Sequence, residues 1–189
     1  MITGNLEYLL SSLPDLSFQH DGDVRQRVEF ILRKYAGQLG GHKDLVSLFM
    51  DEAIKFIPEK VAELLNRINL QSIHESQFRG NRLNLLSEFS DFMYAFKSSL
   101  CAYRIARRKA SVQNTQMEST FPIQPGTPLE EEVQLLQMQW DKLDDLAAGH
   151  HYDHEALIIY KLKLQILQRW WSFDQEKGMK IFSTLTQKH

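Results

Sequence analysis

Residues 140–173 read W-D-K-L-D-D-L-A-A-G-H-H-Y-D-H-E-A-L-I-I-Y-K-L-K-L-Q-I-L-Q-R-W-W-S-F. One helix ends there, the chain turns tightly, and a second helix follows that is too apolar to stand in water. Gly149 suits the left-handed turn after the first helix, and Asp153 suits the N-cap of the second. Tyr152 and Leu157 are placed for a hydrophobic staple across that cap. From Leu157 to Phe173 apolar side chains cover most of the helix circumference, which predicts a buried central element. Lys161, Gln165, Gln168 and Arg169 are left as a wet stripe. Lys163 falls on the opposite side, to snorkel over apolar neighbours or to pair with an acid from another helix. Trp170 and Trp171 stand about 100° apart around the helix, so one can face the core and the other a second layer or a partner.

Working outward, Thr127-Pro128-Leu129-Glu130 combines a capping box with a proline at the first helical position. Leu129, Val133, Leu136, Trp140, Leu143 and Ala147 then keep the alternating three and four spacing of a helix-packing seam. Residues 111–127 are polar and rich in turn formers and read as a flexible connector. Residues 82–109 are the longest periodic element, with Leu85, Phe89, Phe92, Phe96, Leu100 and Tyr103 on one stripe. Residues 69–80 read as a polar loop.

Nearer the amino terminus, Pro58 suits the first position of a helix whose face is Val61, Leu64, Leu65 and Ile68. The helix before it has Leu45, Leu48, Phe49, Ala53 and Phe56 on one face. The one before that is capped by Asp21 or Asp23, carries Val24, Val28, Ile31 and Tyr35, and is broken by Gly37, Gly40 and Gly41. A short helix within residues 5–18 is stopped by Pro14, and Asp174 can start a last helix carrying Met179, Phe182 and Leu185. The expected fold is all-α, a multi-helix bundle of about seven helices with an aromatic-rich core. It divides into an N-terminal helical part (1–110), the connector (111–127) and a C-terminal helical hairpin plus last helix (128–189), the two parts packed as one domain.

The chain's 189 residues suffice to bury a core. Its 22 basic and 24 acidic side chains leave a formal charge of −2, which gives no general attraction to nucleic acid or to an anionic membrane. A single cysteine, Cys101, excludes an internal disulfide and suits a reducing compartment. Its small and apolar helical neighbours predict a packed thiol. The first residues lack the basic start and apolar run of a signal peptide, and no stretch approaches the roughly 18 apolar residues of a membrane span. A cytoplasmic protein is expected, meeting a membrane only indirectly, through a complex at its cytoplasmic face.

No phosphate-cradling loop, dinucleotide fingerprint, nucleophile elbow or H-E-x-x-H pair occurs, so no catalytic residue and no cofactor is indicated. Two constellations remain. His150, His151 and His154, beside Asp153 and Glu155, are crowded enough to hold a transition metal, and His150 with His154 has the i, i+4 spacing of helical ligand pairs. They straddle a turn and a cap, however, where only part of the set can converge, so a surface cluster is the simpler expectation. His42 and His74, in loops, could join such a site only through folding. On the long helix, Lys97, Arg104, Arg107 and Arg108 share the neighbourhood of one face. They serve either to complement the helix dipole at its carboxyl end or to dock an acidic protein partner. Nucleic acid would require a broader basic field and stacking aromatics outside the core.

The phrases E-Y-L-L-S-S-L-P-D-L-S-F (7–18), H-Y-D (151–153) and K-L-K-L-Q-I-L (161–167) leading into Arg169-Trp170 resemble a bacterial family of uncharacterised helical proteins. Its members are encoded among V-type ATPase subunits, in systems without an ordinary C subunit. More remotely, the aromatic helical pattern is similar to part of the V-type C (or d) subunit, the socket between central stalk and membrane rotor. The resemblance implies a non-catalytic subunit or accessory of an ion-transporting V-type ATPase, with stalk or rotor subunits as partners. The alternatives of other classes are a small metal-dependent helical enzyme using the 150–155 cluster and a free-standing helical adaptor.

Overall fold

The computed structural model describes residues 6–35, 37, 43–80, 83–113 and 122–173. Among the described residues are seven helices and no strand: α1 Leu6–Ser12, α2 Gly22–Tyr35, α3 Leu45–Ala53, α4 Glu59–Arg67, α5 Asn84–Gln113, α6 Pro128–Leu146 and α7 His154–Trp171. The all-α expectation holds. The last helix expected from Asp174, with Met179, Phe182 and Leu185, lies outside the described residues, as do Gly40, Gly41 and His42.

At the centre is α7, packed against α3, α5 and α6. Leu157, Leu162, Leu164, Ile166 and Leu167 have no exposed surface, and each such side chain contributes about 1.5–3 kcal/mol relative to an exposed one. The local signals that start α7 act as expected. Gly149 has φ +90°, a conformation that favours glycine, and Asp153 Oδ1 accepts the Ala156 N–H at 2.8 Å. Thr127 and Glu130 close the capping box of α6. Trp140 and Leu143 of α6 and Leu85, Leu86, Phe89 and Met93 of α5 complete a core that also draws on α1 to α4. The segment between α1 and α2 is tied to α7: Tyr160 donates to the Pro14 carbonyl at 3.0 Å and Trp171 Nε1 to Gln19 at 3.0 Å. Phe18 stacks on Trp170 at 4.1 Å. Trp171 is thus the core tryptophan and Trp170 the one in a second layer. Lys163 pairs with Asp144 and lies 4.9 Å from the centre of the Trp140 ring.

Several expectations are corrected, each because tertiary packing overrides a local pattern. Lys161, assigned to the wet stripe, is only 4% exposed, and its Nζ donates to the Leu65 carbonyl at 2.5 Å. Gln165 accepts the Leu70 N–H at 2.8 Å. Lys161 and Gln165 thus meet the backbone at the end of α4 in place of water, and Gln168 leaves its Oε1 buried without a partner among the described residues, whereas Arg169 is exposed as expected. Residues 69–80 form turns, yet they supply Ile73 and Phe78 to the core, and the buried Ser90 hydroxyl donates to the Ile73 carbonyl at 2.6 Å. Tyr152 is exposed and does not staple the cap. Pro58 is the N-cap of α4, one residue outside the helix. In α2 the inward row runs through Val28 and Leu32, leaving Tyr35 exposed, and Leu129 of α6 is likewise exposed. Within the expected connector, α5 continues to Gln113, and Ile123 is buried against Phe96 and Leu135; residues 114–121 lie outside the described residues.

Candidate docking face on the long helix

The 30 residues of α5 extend for about 45 Å at the usual helical rise. Only the first half lies in the main core. Beyond it, Phe96 meets Leu135 of α6 and Ile123 in a smaller cluster of their own, and residues 104–109 are exposed. The basic residues fall along the flank of this apolar stripe, within about 120° of Phe96 around the helix.

Of the four cations expected to act together, Lys97, Arg104 and Arg108 line one trough along α5, with Leu100, Cys101 and Ile105 between them. Arg107 is turned away. Its Nη1 donates to Glu131 Oε1 at 2.6 Å and to Oε2 at 2.8 Å, bridging α5 to the first turn of α6. This bond holds the Glu131 carboxyl below its ordinary range and raises the guanidinium. Lys97 is half-buried: Nζ donates to the Gln71 carbonyl at 2.6 Å and lies 3.0 Å from His74 Nδ1. Burial lowers its pKa, and the nearby Glu75 partly opposes that shift. The dipole explanation does not fit these positions, since the last turn of α5 carries no basic residue and the dipole acts within about one turn of a helix end.

The trough continues into a slot of about 220 Å³ between α5, α6, α7 and residues 70–71. Met93, Phe96, Leu100, Leu135 and Leu136 give it an apolar floor, and Lys97, Arg104 and Arg169 stand at its edge. Glu132 also borders the slot, but it is engaged by Arg169 through Nε at 2.8 Å and Nη2 at 2.5 Å. Sequence reasoning missed Arg169, Glu131, Glu132 and Ile105 as parts of this face. Ile105 had a readable signal: it lies out of phase with the Phe89 to Tyr103 stripe and is 51% exposed. The carboxylates of α6 come opposite α5 only through folding.

Cys101, expected to be packed, is exposed in the trough, because its small neighbours face solvent and not another helix. The histidine cluster is also rearranged. His150, Asp153 and Glu155 place one ligand atom each within 4.8 Å of one another, whereas His151 is exposed and neither it nor His154 joins the group. The i, i+4 pairing fails because His150 precedes the helix. His150 Nδ1 lies 2.6 Å from Asp153 Oδ2. Burial alone would raise the Asp153 carboxyl; the bonds from His150 and Ala156 outweigh that and lower it. Both of its oxygens are therefore engaged. His74 lies apart, against Lys97 on the α5 face.

Fold and face together define an all-helical protein with an apolar, cation-edged trough. Residues 110–188 match a family described as protein of unknown function (DUF2764). The matched span takes in α6, α7 and the phrases at 151–153 and 161–170, while residues 7–18 and nearly all of α5 lie outside it. No curated protein and no solved structure matches the chain. Among the described residues no helix is long and apolar enough to cross a membrane.

Proposed function

We propose that this protein is a non-catalytic helical subunit or accessory of a V-type ATPase, acting through protein contacts between the central stalk and the membrane rotor at the cytoplasmic face. The family resemblance of the 151–153 and 161–170 phrases supplies the ATPase setting. The observation that carries a contact role is the trough on α5, where the exposed Ile105 and the half-buried Leu100 lie among Lys97, Arg104 and Arg108. In this reading the helical body is mechanical: a side chain truncated in α7 would weaken the whole body, and no residue handles nucleotide. Affinity capture of the tagged protein from native membranes tests it. Stalk or rotor subunits should co-purify, and ATP hydrolysis by the isolated catalytic head should continue without this chain. Absence of every ATPase subunit from the captured material would refute the proposal and favour the free-standing adaptor.

The second reading, a small metal-dependent enzyme, is favoured by one observation, the convergence of His150, Asp153 and Glu155. It is the weaker because Asp153 is already committed to capping α7.

A further inference from the structure

The slot between α5, α6, α7 and residues 70–71 is bordered by one polar group that the fold leaves half used. Gln139 of α6 lines it and is only 7% exposed. Its Nε2 donates to the Leu135 carbonyl at 2.8 Å. A carbonyl accepts and never donates, so this bond fixes which end of the amide is nitrogen. Oε1 is then an acceptor with no partner among the described residues, and it is not sealed in as Gln168 Oε1 is. An acceptor more than nine-tenths buried beside open space is placed to take a donor from whatever enters.

The rest of the slot limits what can enter. Met93, Phe96, Leu135 and Leu136 are buried and, with the half-buried Leu100, make its floor apolar. The charged groups at its edge are already engaged: Lys97 donates to the Gln71 carbonyl, Arg169 pairs with Glu132, and Arg104 lies in the field of Glu131. An ion gains little from such an edge, which leaves a neutral ligand. The volume of about 220 Å³ exceeds the roughly 150 Å³ of an apolar cavity that admits benzene, and by the same proportion it suits two fused rings of about ten non-hydrogen atoms. Phe96 and the Met93 thioether both favour the contact of a flat aromatic ring.

We infer that this slot binds a small neutral aromatic compound of about indole size that carries one hydrogen-bond donor, and that Gln139 Oε1 accepts the donor. The floor supplies burial and the amide oxygen supplies orientation. The site goes beyond the contact role proposed above and does not rest on it.

The test uses the full chain, isotope-labelled at its methionine and leucine methyl groups and followed by NMR. It is titrated with indole and with benzofuran, which has the same shape but an ether oxygen in place of the N–H. Indole should saturate with a dissociation constant at or below about 1 mM, the range open to so few atoms, and should shift the methyl signals of Met93, Leu135 and Leu136. Benzofuran should bind about fivefold more weakly, the effect of one lost hydrogen bond. Gln139→Leu removes the acceptor at similar bulk, and it should weaken indole about fivefold and bring the two compounds level. Leu100→Trp, at the half-buried mouth, should fill the slot and block both compounds, circular dichroism of each variant staying helical. No saturation by indole at about 5 mM, or equal binding of indole and benzofuran to the wild type, overturns the inference. So does an indole preference that survives Gln139→Leu, or binding that shifts only methyl groups away from the slot. Tighter binding of indole-3-acetate than of indole would give the slot to an anion and equally overturn it. None of these outcomes bears on co-purification with ATPase subunits, so the proposed function stands or falls separately.

Discussion

Lys161 offers the most direct check on the central packing. It lies in the middle of α7, 4% exposed, with its Nζ bound to the Leu65 carbonyl. Burial disfavours the ammonium and lowers its pKa from 10.5 to about 8. Between these two values the unfolded chain holds a proton that the folded chain has released, so this residue makes stability rise with pH across that window. The slope is at most about 1.4 kcal/mol per pH unit, and the whole effect is on the order of 3 kcal/mol. Below pH 8 the folded protein carries that full penalty, relieved progressively up to pH 10.5. Lys161→Met keeps the length of the side chain and removes the charge. It also removes one donor from the Leu65 carbonyl, a loss of about 1–3 kcal/mol, although the Ile68 N–H still reaches that oxygen at 3.3 Å. The two effects are of similar size and opposite sign near pH 7, so the variant should unfold there within about 2 kcal/mol of the wild type. Urea unfolding of both proteins at pH 7.0, 8.5 and 10.0 separates them, because titrations common to both cancel in the difference. The stability of wild type relative to variant should rise by on the order of 2 kcal/mol from pH 7 to 10. Parallel pH profiles would refute the burial of a charged Lys161 and with it the packing of α7 against the end of α4.

Other outcomes follow from particular side chains. Leu164→Ala or Leu167→Ala should lower stability by about 2–5 kcal/mol in chemical denaturation, the usual effect of truncating a packed leucine; a loss below about 1 kcal/mol at both sites would contradict the central place of α7. Asp153→Ala removes the acceptor of the Ala156 N–H and should destabilise by about 0.5–2 kcal/mol, measured in the same way, with no change if the cap were dispensable. Because both Asp153 oxygens are engaged, metal analysis should find less than one zinc per chain and a chelator should leave Tm unchanged; one tightly held zinc, lost on His150→Ala, would revive the enzyme reading. In the affinity capture, Arg104→Glu with Arg108→Glu should reduce recovery of ATPase subunits in a salt-sensitive manner, and undiminished recovery at every salt concentration would dissociate the α5 face from assembly.

The elements of this protein were legible because each rests on local physics. The apolar circumference of α7, the Asp153 cap, the Gly149 turn and the Thr127 to Glu130 capping box depend on residues within one or two helical turns of each other. Most of the α5 stripe was equally readable, since helical period alone sets it. Lys161 was not, because a lysine flanked by apolar residues follows the same pattern whether its face meets water or the Leu65 carbonyl, 96 residues away in the chain. Ile73 and Phe78 were missed for a related reason: a turn-rich segment has no periodicity from which burial can be read, and only its packing against Ser90 shows it as core.

The basic face divides along the same line. Sequence spacing determined that Lys97, Arg104, Arg107 and Arg108 share a neighbourhood on one helix. Only the tertiary structure decided that Glu131 reaches Arg107 from a separate helix, and that Lys97, Arg104 and Arg108 line a trough with Leu100 and Ile105. A helix's own chain sets the angular position of each side chain, whereas its exposure and its ionic partners are set by whatever packs against it.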